Sequence, residues 1–166
     1  LTVTTPVVVC SPLTVDITNG TSSDIGGIII YYTDATLATL VPDATAVGAG
    51  TYYVLVDNLG CRDTASIDVT VNPKPILTVS NPAAVCSPNT VDITAVTSSD
   101  IAGTITYYSD VTLTTSVATP AAITTSGTYY VLVETAEGCR DTASIDVTIN
   151  PKPILTVSNP AAVCSP

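Results

Sequence analysis

The sequence contains no histidine, methionine, tryptophan or phenylalanine, and only four of its 166 residues are basic. Without histidine, no side chain ordinarily titrates near neutral pH, so the common catalytic triads are excluded. Four positive charges are too few to neutralise nucleic-acid phosphates or to hold the chain on an anionic membrane. The apolar runs are also too short to span a bilayer. We therefore expect a protein that is not an enzyme, needs no cofactor, binds no nucleic acid and does not insert into a membrane.

What the chain does contain is an internal repeat. GTYYVLV occurs at Gly50–Val56 and again at Gly127–Val133, and CRDTASIDVT occurs at Cys61–Thr70 and at Cys139–Thr148. A repeat of this length is too long for one turn of a solenoid and suits a small domain. The sequence therefore predicts three segments: repeat 1 over residues 1–74, repeat 2 over residues 75–152, and the first strand of a third repeat over residues 153–166.

Acidic residues number fourteen and give a formal net charge of −10. They divide evenly between the two repeats, so no part of the chain offers a basic patch. Such a charge keeps neighbouring chains apart and soluble. The composition favours a surface-exposed structural protein over one that carries out chemistry.

Apolar and polar residues alternate with a period of two along most of the chain, which indicates half-buried β-strands. In the segment TASIDVTV, Ile67 and Val69 share one face, and in TYYVLV the inward set is Tyr52, Val54 and Val56. No stretch has ten residues of helical periodicity. The fold class predicted is all-β, with tandem immunoglobulin-like β-sandwich domains of about seven strands each, arranged end to end. The strands predicted for repeat 2 are A (76–85), B (90–95), C (104–109), a weak C′ or E (111–125), F (128–134) and G (139–149).

These motifs carry a family resemblance. Val-Cys-Ser-Pro before TVDIT, then Tyr-Tyr, then GTYYVLV and Gly-Cys-Arg-Asp-Thr, resembles the Ig-like repeats of large Bacteroidota cell-surface proteins, including gliding and adhesin filaments exported by the type IX route. The resemblance implies surface display and adhesion. The Gly-Thr-Tyr opening of strand F also resembles a tyrosine corner, so Tyr52 and Tyr129 are predicted to be structural. Tyr31 and Tyr107 stand where such domains often have a tryptophan, which we interpret as a packing variation.

Five cysteines occur in two alternating contexts: Cys10, Cys86 and Cys164 in Val-Cys-Ser-Pro, and Cys61 and Cys139 in Gly-Cys-Arg-Asp. In small extracellular domains disulfides are the default. One pairing lies within repeats, as Cys10–Cys61 and Cys86–Cys139. In an Ig-like sandwich, however, the start of strand B and the start of strand G lie at opposite ends, roughly 35 Å apart for a strand of this length. This topology slightly favours a Cys10–Cys139 bridge between repeats, with Cys61, Cys86 and Cys164 pairing to other repeats.

The remaining candidate sites are weaker. Asp24, Asp34, Asp100 and Asp110 flank strand C and are candidate ligands for Ca²⁺, but the loop signature of an EF-hand is absent. Asp-Thr-Ala at Thr64 and Thr142 matches the short O-glycosylation sequence of Bacteroidota, although a three-residue match also fits an ordinary exposed threonine. Ile28 and Ile30 on the outward side of strand C are candidates for a lateral contact.

The function these observations predict is the structural shaft of an extracellular bacterial surface filament or adhesin, which gives reach, stiffness and adhesion. Its partners would be adjacent repeats of the same chain, other filament chains, and a surface or glycan ligand. The alternative is a carbohydrate-binding, lectin-like Ig module. That alternative depends on the second tyrosine of each Tyr-Tyr pair: Tyr32, Tyr53, Tyr108 and Tyr130.

Overall fold

The computed structural model describes residues 1–159, and those residues form strands, turns and loops with no helix among them. The all-β prediction is confirmed. Contacts divide the chain into two compact units. Unit 1 comprises Leu1–Pro75 together with Glu134–Asp141, and unit 2 comprises Ile76–Val133 and Thr142–Pro166.

Repeat 1 contributes seven strands, and its central sheet has the order β4-β5-β6 with antiparallel pairing throughout. Two smaller pairings complete it: β1 runs antiparallel to β3, and β2 runs parallel to β7. The strand bounds are β1 Thr2–Val3, β2 Val9–Cys10, β3 Thr21–Ser22, β4 Ile28–Tyr32, β5 Gly50–Asn58, β6 Cys61–Val69 and β7 Val71–Asn72.

Repeat 2 repeats this plan with seven further strands. Its three-stranded sheet has the order β11-β12-β13, while β8 pairs antiparallel with β10 and β9 pairs parallel with β14. The count therefore agrees with the predicted seven strands per repeat. The bounds are β8 Leu77–Val79, β9 Val85–Cys86, β10 Thr97–Ser99, β11 Thr104–Tyr108, β12 Gly127–Glu134, β13 Arg140–Val147 and β14 Ile149–Asn150.

Each repeat has its own apolar core, built from the inward faces that the alternation predicts. In repeat 1 the buried set comes from β5, β6 and the segments that face them: Val15, Ile17, Val47, Val54, Ile67 and Val69. In repeat 2 the corresponding set is larger and includes Tyr107 and Tyr129: Leu77, Val91, Ile93, Tyr107, Ile123, Tyr129, Val131, Val133, Ile145 and Val147. Tyr107 thus fills the core from strand C, and Tyr31 packs partly buried against the core of repeat 1.

The predicted strand B is wrong. In repeat 2 the segment 90–95 makes a single isolated bridge, between Val91 and Ile123, and the strand that pairs with β8 lies later, at β10. The carboxylate of Asp92 accepts bonds from the backbone N and the Oγ1 of Thr94, at 2.8 and 2.6 Å. This local turn competes with the inter-strand hydrogen bonds of a β-ladder. The side chain of Ile93, on the same segment, is nevertheless fully buried.

The predicted strands A and G are each interrupted. Strand A becomes β8 and β9, with Asn81-Pro82 between them, because proline has no N–H to donate to a ladder. Strand G becomes β13 and β14, with Thr148 between them. Each break separates two parts with different partners. β8 pairs with β10 and β13 pairs with β12, whereas β9 and β14 form a parallel pair with each other.

The turn between β5 and β6 gives a stability prediction. Leu59 and Gly60 both have positive φ, 52° and 87°, between the paired residues Asn58 and Cys61, which is the pattern of a type I′ hairpin turn. Leucine is disfavoured in this left-handed region, whereas asparagine is tolerated. We expect Leu59→Asn to raise the free energy of unfolding by about 1 kcal/mol in urea titration.

The matched control is Leu59→Ala. Because Leu59 is 100% exposed, that change removes the apolar side chain and keeps the unfavourable backbone conformation. We expect it to leave the free energy of unfolding within about 0.5 kcal/mol of the parent chain. Equal stabilities for the two variants would contradict the turn assignment.

Candidate functional site

The structural site most specific to this chain is a disulfide. Cys10 ends β2, which runs parallel to β7 with Cys10 opposite Asn72, and the next residue, Ser11, donates its N–H to the Asn72 carbonyl at 2.8 Å. The Cys10 Sγ is bonded to the Sγ of Cys139. The two Cα atoms are 5.6 Å apart, and the residues are 129 positions apart in sequence.

Cys139 lies in the segment Glu134–Asp141, which belongs to unit 1 by its contacts. It is only 1% exposed. Its N–H donates to Thr135 Oγ1 at 3.2 Å and its carbonyl accepts from the Thr135 N–H at 2.9 Å. At the end of the same segment, Asp141 makes an ion pair of 2.8 Å with Lys74. The disulfide is therefore accompanied by a charged contact within the same unit.

The structure thus contains the Cys10–Cys139 pairing that strand topology favoured. Cys61 and Cys86 are free and exposed. The intra-repeat pairs Cys10–Cys61 and Cys86–Cys139 do not occur in residues 1–159, where all four cysteines lie. Cys164 lies outside the described residues. That Cys61, Cys86 and Cys164 pair with other repeats stays a prediction.

The two tyrosine corners are present. The Tyr52 hydroxyl donates to the carbonyl of Gly48 at 3.1 Å, and the Tyr129 hydroxyl donates to the carbonyl of Thr125 at 3.0 Å. Each bond ties the start of the central strand to the backbone four residues earlier. These tyrosines therefore serve the fold, as the sequence predicts.

The second tyrosine of each pair lies on the other sheet face. Tyr32 and Tyr53 stand directly opposite each other on β4 and β5, and both are half-buried. In repeat 2, Tyr130 lines a shallow depression of about 280 Å³ together with Val111, Leu113, Thr142, Ala143 and Ser144. These are the surfaces that a lectin-like module would use.

The modification and lateral-contact candidates are accessible. Thr64 on β6 and Thr142 on β13 are both exposed on the outward face of their strands. Ile28 is 68% exposed, whereas Ile30 is half-buried. O-glycosylation and lateral contact stay predictions at these residues.

A recurring turn of the form Asp-x-Thr, in which a carboxylate accepts hydrogen bonds from the next residues, was not among the features predicted from the sequence. Asp34 accepts bonds from the backbone N–H of Thr36, Ala38 and Thr39 at 3.0, 3.2 and 2.7 Å, and Asp110 accepts from Thr114 and Thr115 at 3.2 and 2.6 Å. The same motif recurs at Asp16, Asp43 and Asp92. Asp-x-Thr was visible in the sequence as a turn signal.

These hydrogen bonds favour the ionised carboxylate and therefore lower its pKa. The Thr36 hydroxyl and then the Thr39 N–H hold the pKa of Asp34 well below its ordinary value of 3.8. The Thr112 hydroxyl is the largest cause of the same shift in the pKa of Asp110, followed among the lowering causes by the N–H of Thr115. The pKa values of Asp16, Asp43 and Asp92 are lowered, each chiefly by the hydroxyl of the threonine two residues on.

We expect stability to be flat across neutral pH and to fall in acid. A folded-state pKa below the unfolded value gives stability that is present above the unfolded pKa and is lost as pH falls through the folded one. Tm should therefore hold from pH 7 to pH 5 and decrease from about pH 4 downward, with no step near pH 6 because the chain has no histidine.

The control is the double variant Asp34→Asn with Asp110→Asn, measured over the same range. Its Tm should be lower than that of the parent chain at pH 7 and should change less between pH 5 and pH 2. A parent Tm equal at pH 3 and pH 7 would contradict the role given to these turns.

Within residues 1–159, no group of three or more Asp, Glu, Cys or His side chains is placed to hold one metal ion. No helix in that part of the chain has the length and hydropathy needed to cross a membrane.

Comparison with solved structures finds Ig proteins of low sequence identity. One is "Drosophila OTK, extracellular domains 3-5", at 14% identity and a TM-score of 0.49, covering 90% of this chain and 61% of that chain. Another is the I-band fragment I67–I69 of titin, at 12% identity and a TM-score of 0.44, covering 89% of this chain and 64% of that one. This chain therefore spans less than two thirds of either structure. No curated protein matches the sequence.

A family model accounts for one repeat in full. The model described as "Ig-like domain CHU_C associated" matches residues 74–153, which run from the end of repeat 1 through repeat 2. This match confirms the resemblance to Bacteroidota-type Ig-like repeats. Residues 74–153 are therefore similar to the Ig-like domains that this model describes.

Proposed function

We propose that this chain is a segment of the shaft of an extracellular bacterial surface filament or adhesin, in which Ig-like repeats follow one another end to end. The observation that carries this proposal is the Cys10–Cys139 disulfide, which ties together residues 129 positions apart in sequence. A covalent bond between the two repeat sequences has an evident mechanical use, and it has no evident use in catalysis or in ligand binding.

The strand pairing supports the same role. β5 and β6 are paired over nine residues, from Gly50 opposite Val69 to Asn58 opposite Cys61, and β4 adds a third strand. A long ladder keeps the repeat rigid, because its hydrogen bonds must open together before the strands separate. The prolines after β7, Pro73 and Pro75, restrict the chain between the repeats, and Pro75 is fully buried.

The proposed role needs no catalytic residue. Five aspartates are engaged in Asp-x-Thr turns, whose hydrogen bonds lower their pKa values and favour the ionised carboxylate: Asp16, Asp34, Asp43, Asp92 and Asp110. The net charge of −10 keeps neighbouring shafts soluble and apart. The partners would be further repeats of the same chain and other filament chains, with Ile28 as the exposed apolar contact.

Electron microscopy of the native surface material, labelled with an antibody to this chain, tests the proposal. Rods with an axial repeat of about 35–45 Å, the length of a strand-limited domain, are the expected result. Compact particles, or beads that swivel freely on slack tethers, would contradict it.

A carbohydrate-binding module is the second candidate, and the paired tyrosines favour it. Tyr32 and Tyr53 lie side by side on one sheet face, and Tyr130 lines a depression that also offers the hydroxyls of Thr142 and Ser144. Aromatic faces beside hydroxyls suit sugar rings. Binding on a glycan array that is lost in the double variant Tyr53→Ala with Tyr130→Ala would favour this function over the shaft.

A further inference from the structure

The two free cysteines have the same sequence contexts as the two bonded ones. Cys86 is the repeat 2 counterpart of Cys10, since both occur in Val-Cys-Ser-Pro, and Cys61 is the repeat 1 counterpart of Cys139, since both occur in Gly-Cys-Arg-Asp. Both free thiols are exposed. We propose that Cys86 of one copy of this chain forms a disulfide with Cys61 of another copy. The partner of each free cysteine is then a second copy of the same repeat sequence.

The backbone presents Cys86 in the way that it presents Cys10. Cys86 ends a short strand that runs parallel to β14 and stands opposite Asn150, as Cys10 stands opposite Asn72. The Ser87 N–H donates to the Asn150 carbonyl at 2.9 Å, which repeats the 2.8 Å bond from Ser11 to Asn72. The surface around Cys10 accepts the segment that carries Cys139, and the backbone around Cys86 reproduces that surface. Cys86, however, is not bonded.

The turn that carries Cys61, residues 57–63, is the counterpart of the segment Glu134–Asp141. Both turns contain an ion pair of 2.8 Å between an arginine and an acid, Arg62–Asp57 and Arg140–Glu134. Their surroundings differ, because Cys139 is 1% exposed whereas Cys61 is open to solvent. The tip residue Leu59 is fully exposed, and a cleft of about 310 Å³ adjoins Cys61.

A charged contact is also available for the proposed interface. Lys74 pairs with Asp141 beside the existing disulfide, at 2.8 Å. The counterparts of these residues are Lys152 and Asp63, since both lysines occur in Asn-Pro-Lys-Pro and both aspartates in Cys-Arg-Asp. Lys152 is exposed, and the side chain of Asp63 is 64% exposed and pairs at 3.1 Å with the Leu1 ammonium. In the proposed contact, Lys152 of one copy faces Asp63 of the next.

The bond requires an oxidant, for which glutathione disulfide is sufficient. One cysteine thiolate attacks a sulfur of glutathione disulfide, forms a mixed disulfide and releases one glutathione thiolate, which takes up the proton. The thiolate of the second chain then attacks the protein sulfur of that mixed disulfide and releases the second glutathione. Two protein thiols and one glutathione disulfide thus give one protein disulfide and two glutathione molecules.

The inference deepens the proposed function, on which it rests for the presence of further copies, by naming the link between them. The shaft function and the Cys61–Cys86 bond can each be disproved without the other. A missing Cys61–Cys86 bond would leave rods visible by electron microscopy, whereas compact particles would overturn the shaft and leave the bond intact.

The test uses two variants of the full chain, both with Cys164→Ser so that this cysteine does not compete. One variant adds Cys61→Ser and offers only Cys86, and the other adds Cys86→Ser and offers only Cys61. One variant is labelled uniformly with ¹⁵N, because the two chains otherwise have the same mass. Equal amounts are mixed in a glutathione redox buffer, and the heterodimer and the two homodimers are then counted by intact mass. Peptide mapping without reductant verifies that Cys10–Cys139 is retained in both.

We expect the Cys86–Cys61 heterodimer to exceed either homodimer at least about tenfold, because docking raises the effective concentration of the correct pair of thiols. Lys152→Glu in the Cys86 variant should slow heterodimer formation about threefold, and Asp63→Lys in its partner should restore the rate. A statistical ratio of heterodimer to homodimers, or monomers that carry only glutathione, would overturn the proposal.

Discussion

Replacing both Cys10 and Cys139 by serine should lower the free energy of unfolding by about 2–4 kcal/mol, a typical loss for a native disulfide. The closed loop spans 129 positions, so reopening it returns a large conformational entropy to the unfolded chain. The loss should be visible as a lower urea midpoint by tyrosine fluorescence, because the chain has eight tyrosines and no tryptophan.

The matched control is the double variant Cys61→Ser with Cys86→Ser. It makes the same chemical change at two exposed, unbonded cysteines and should alter the free energy of unfolding by less than about 0.5 kcal/mol. A reductant should produce the same loss in the parent chain and in the control, which both contain the bridge, and should not change the variant that lacks Cys10 and Cys139. An equal loss in both double variants would show that the bridge does not stabilise the fold.

Ile93→Ala should cost about 3 kcal/mol, since it removes three carbons from a side chain that is 0% exposed and leaves a cavity in the core of repeat 2. The residue lies outside any regular strand, between the turn residue Asp92 and the Thr94 that it binds. Its N–H nevertheless donates to the Pro120 carbonyl at 3.0 Å, which fixes the side chain against the core.

Ile154→Ala is the control for this prediction because Ile154 is 92% exposed. The same change of side chain there should cost less than about 0.5 kcal/mol in urea titration. If the two alanine variants unfold at the same urea concentration, the core assignment of Ile93 is wrong.

Period-two alternation predicted burial more reliably than it predicted hydrogen bonding. Val54, Ile67 and Val69 are buried as expected, and so are Ile17 and Ile93. Alternation records which side chains face the core, and that requires only an extended backbone. Whether that backbone also joins a ladder depends on competing bonds, and the Asp-x-Thr turns at Asp16 and Asp92 decide against it.

The cysteines show what the sequence immediately around a residue could not predict. Cys61 and Cys139 have identical flanking residues from Gly-Cys through Asp-Thr-Ala, yet one is exposed and the other is 1% exposed and bonded. The residues that follow each cysteine do not distinguish them. The turns that precede them differ, since Thr135 in the longer turn bonds to the Cys139 N–H and the turn before Cys61 has no threonine. Strand topology predicted the partner of Cys139, since it concerns the ends of strands rather than the residues around the cysteine. The left-handed conformations of Leu37, Leu59 and Leu113 had no sequence signal, because leucine rarely adopts them.

The covalent ring closed by Cys10 and Cys139 changes how tension would pass along this polypeptide. When the chain is pulled from its two termini, the force crosses from one sulfur to the other, and the enclosed residues carry none of it. Fully extended, the enclosed residues would span about 430–460 Å, and that length becomes available only when the bridge is reduced. The redox state of the compartment would then set how far the molecule can be extended by force. The extension would be limited where the disulfide persists, as it does outside the cell, and larger where thiols are kept reduced.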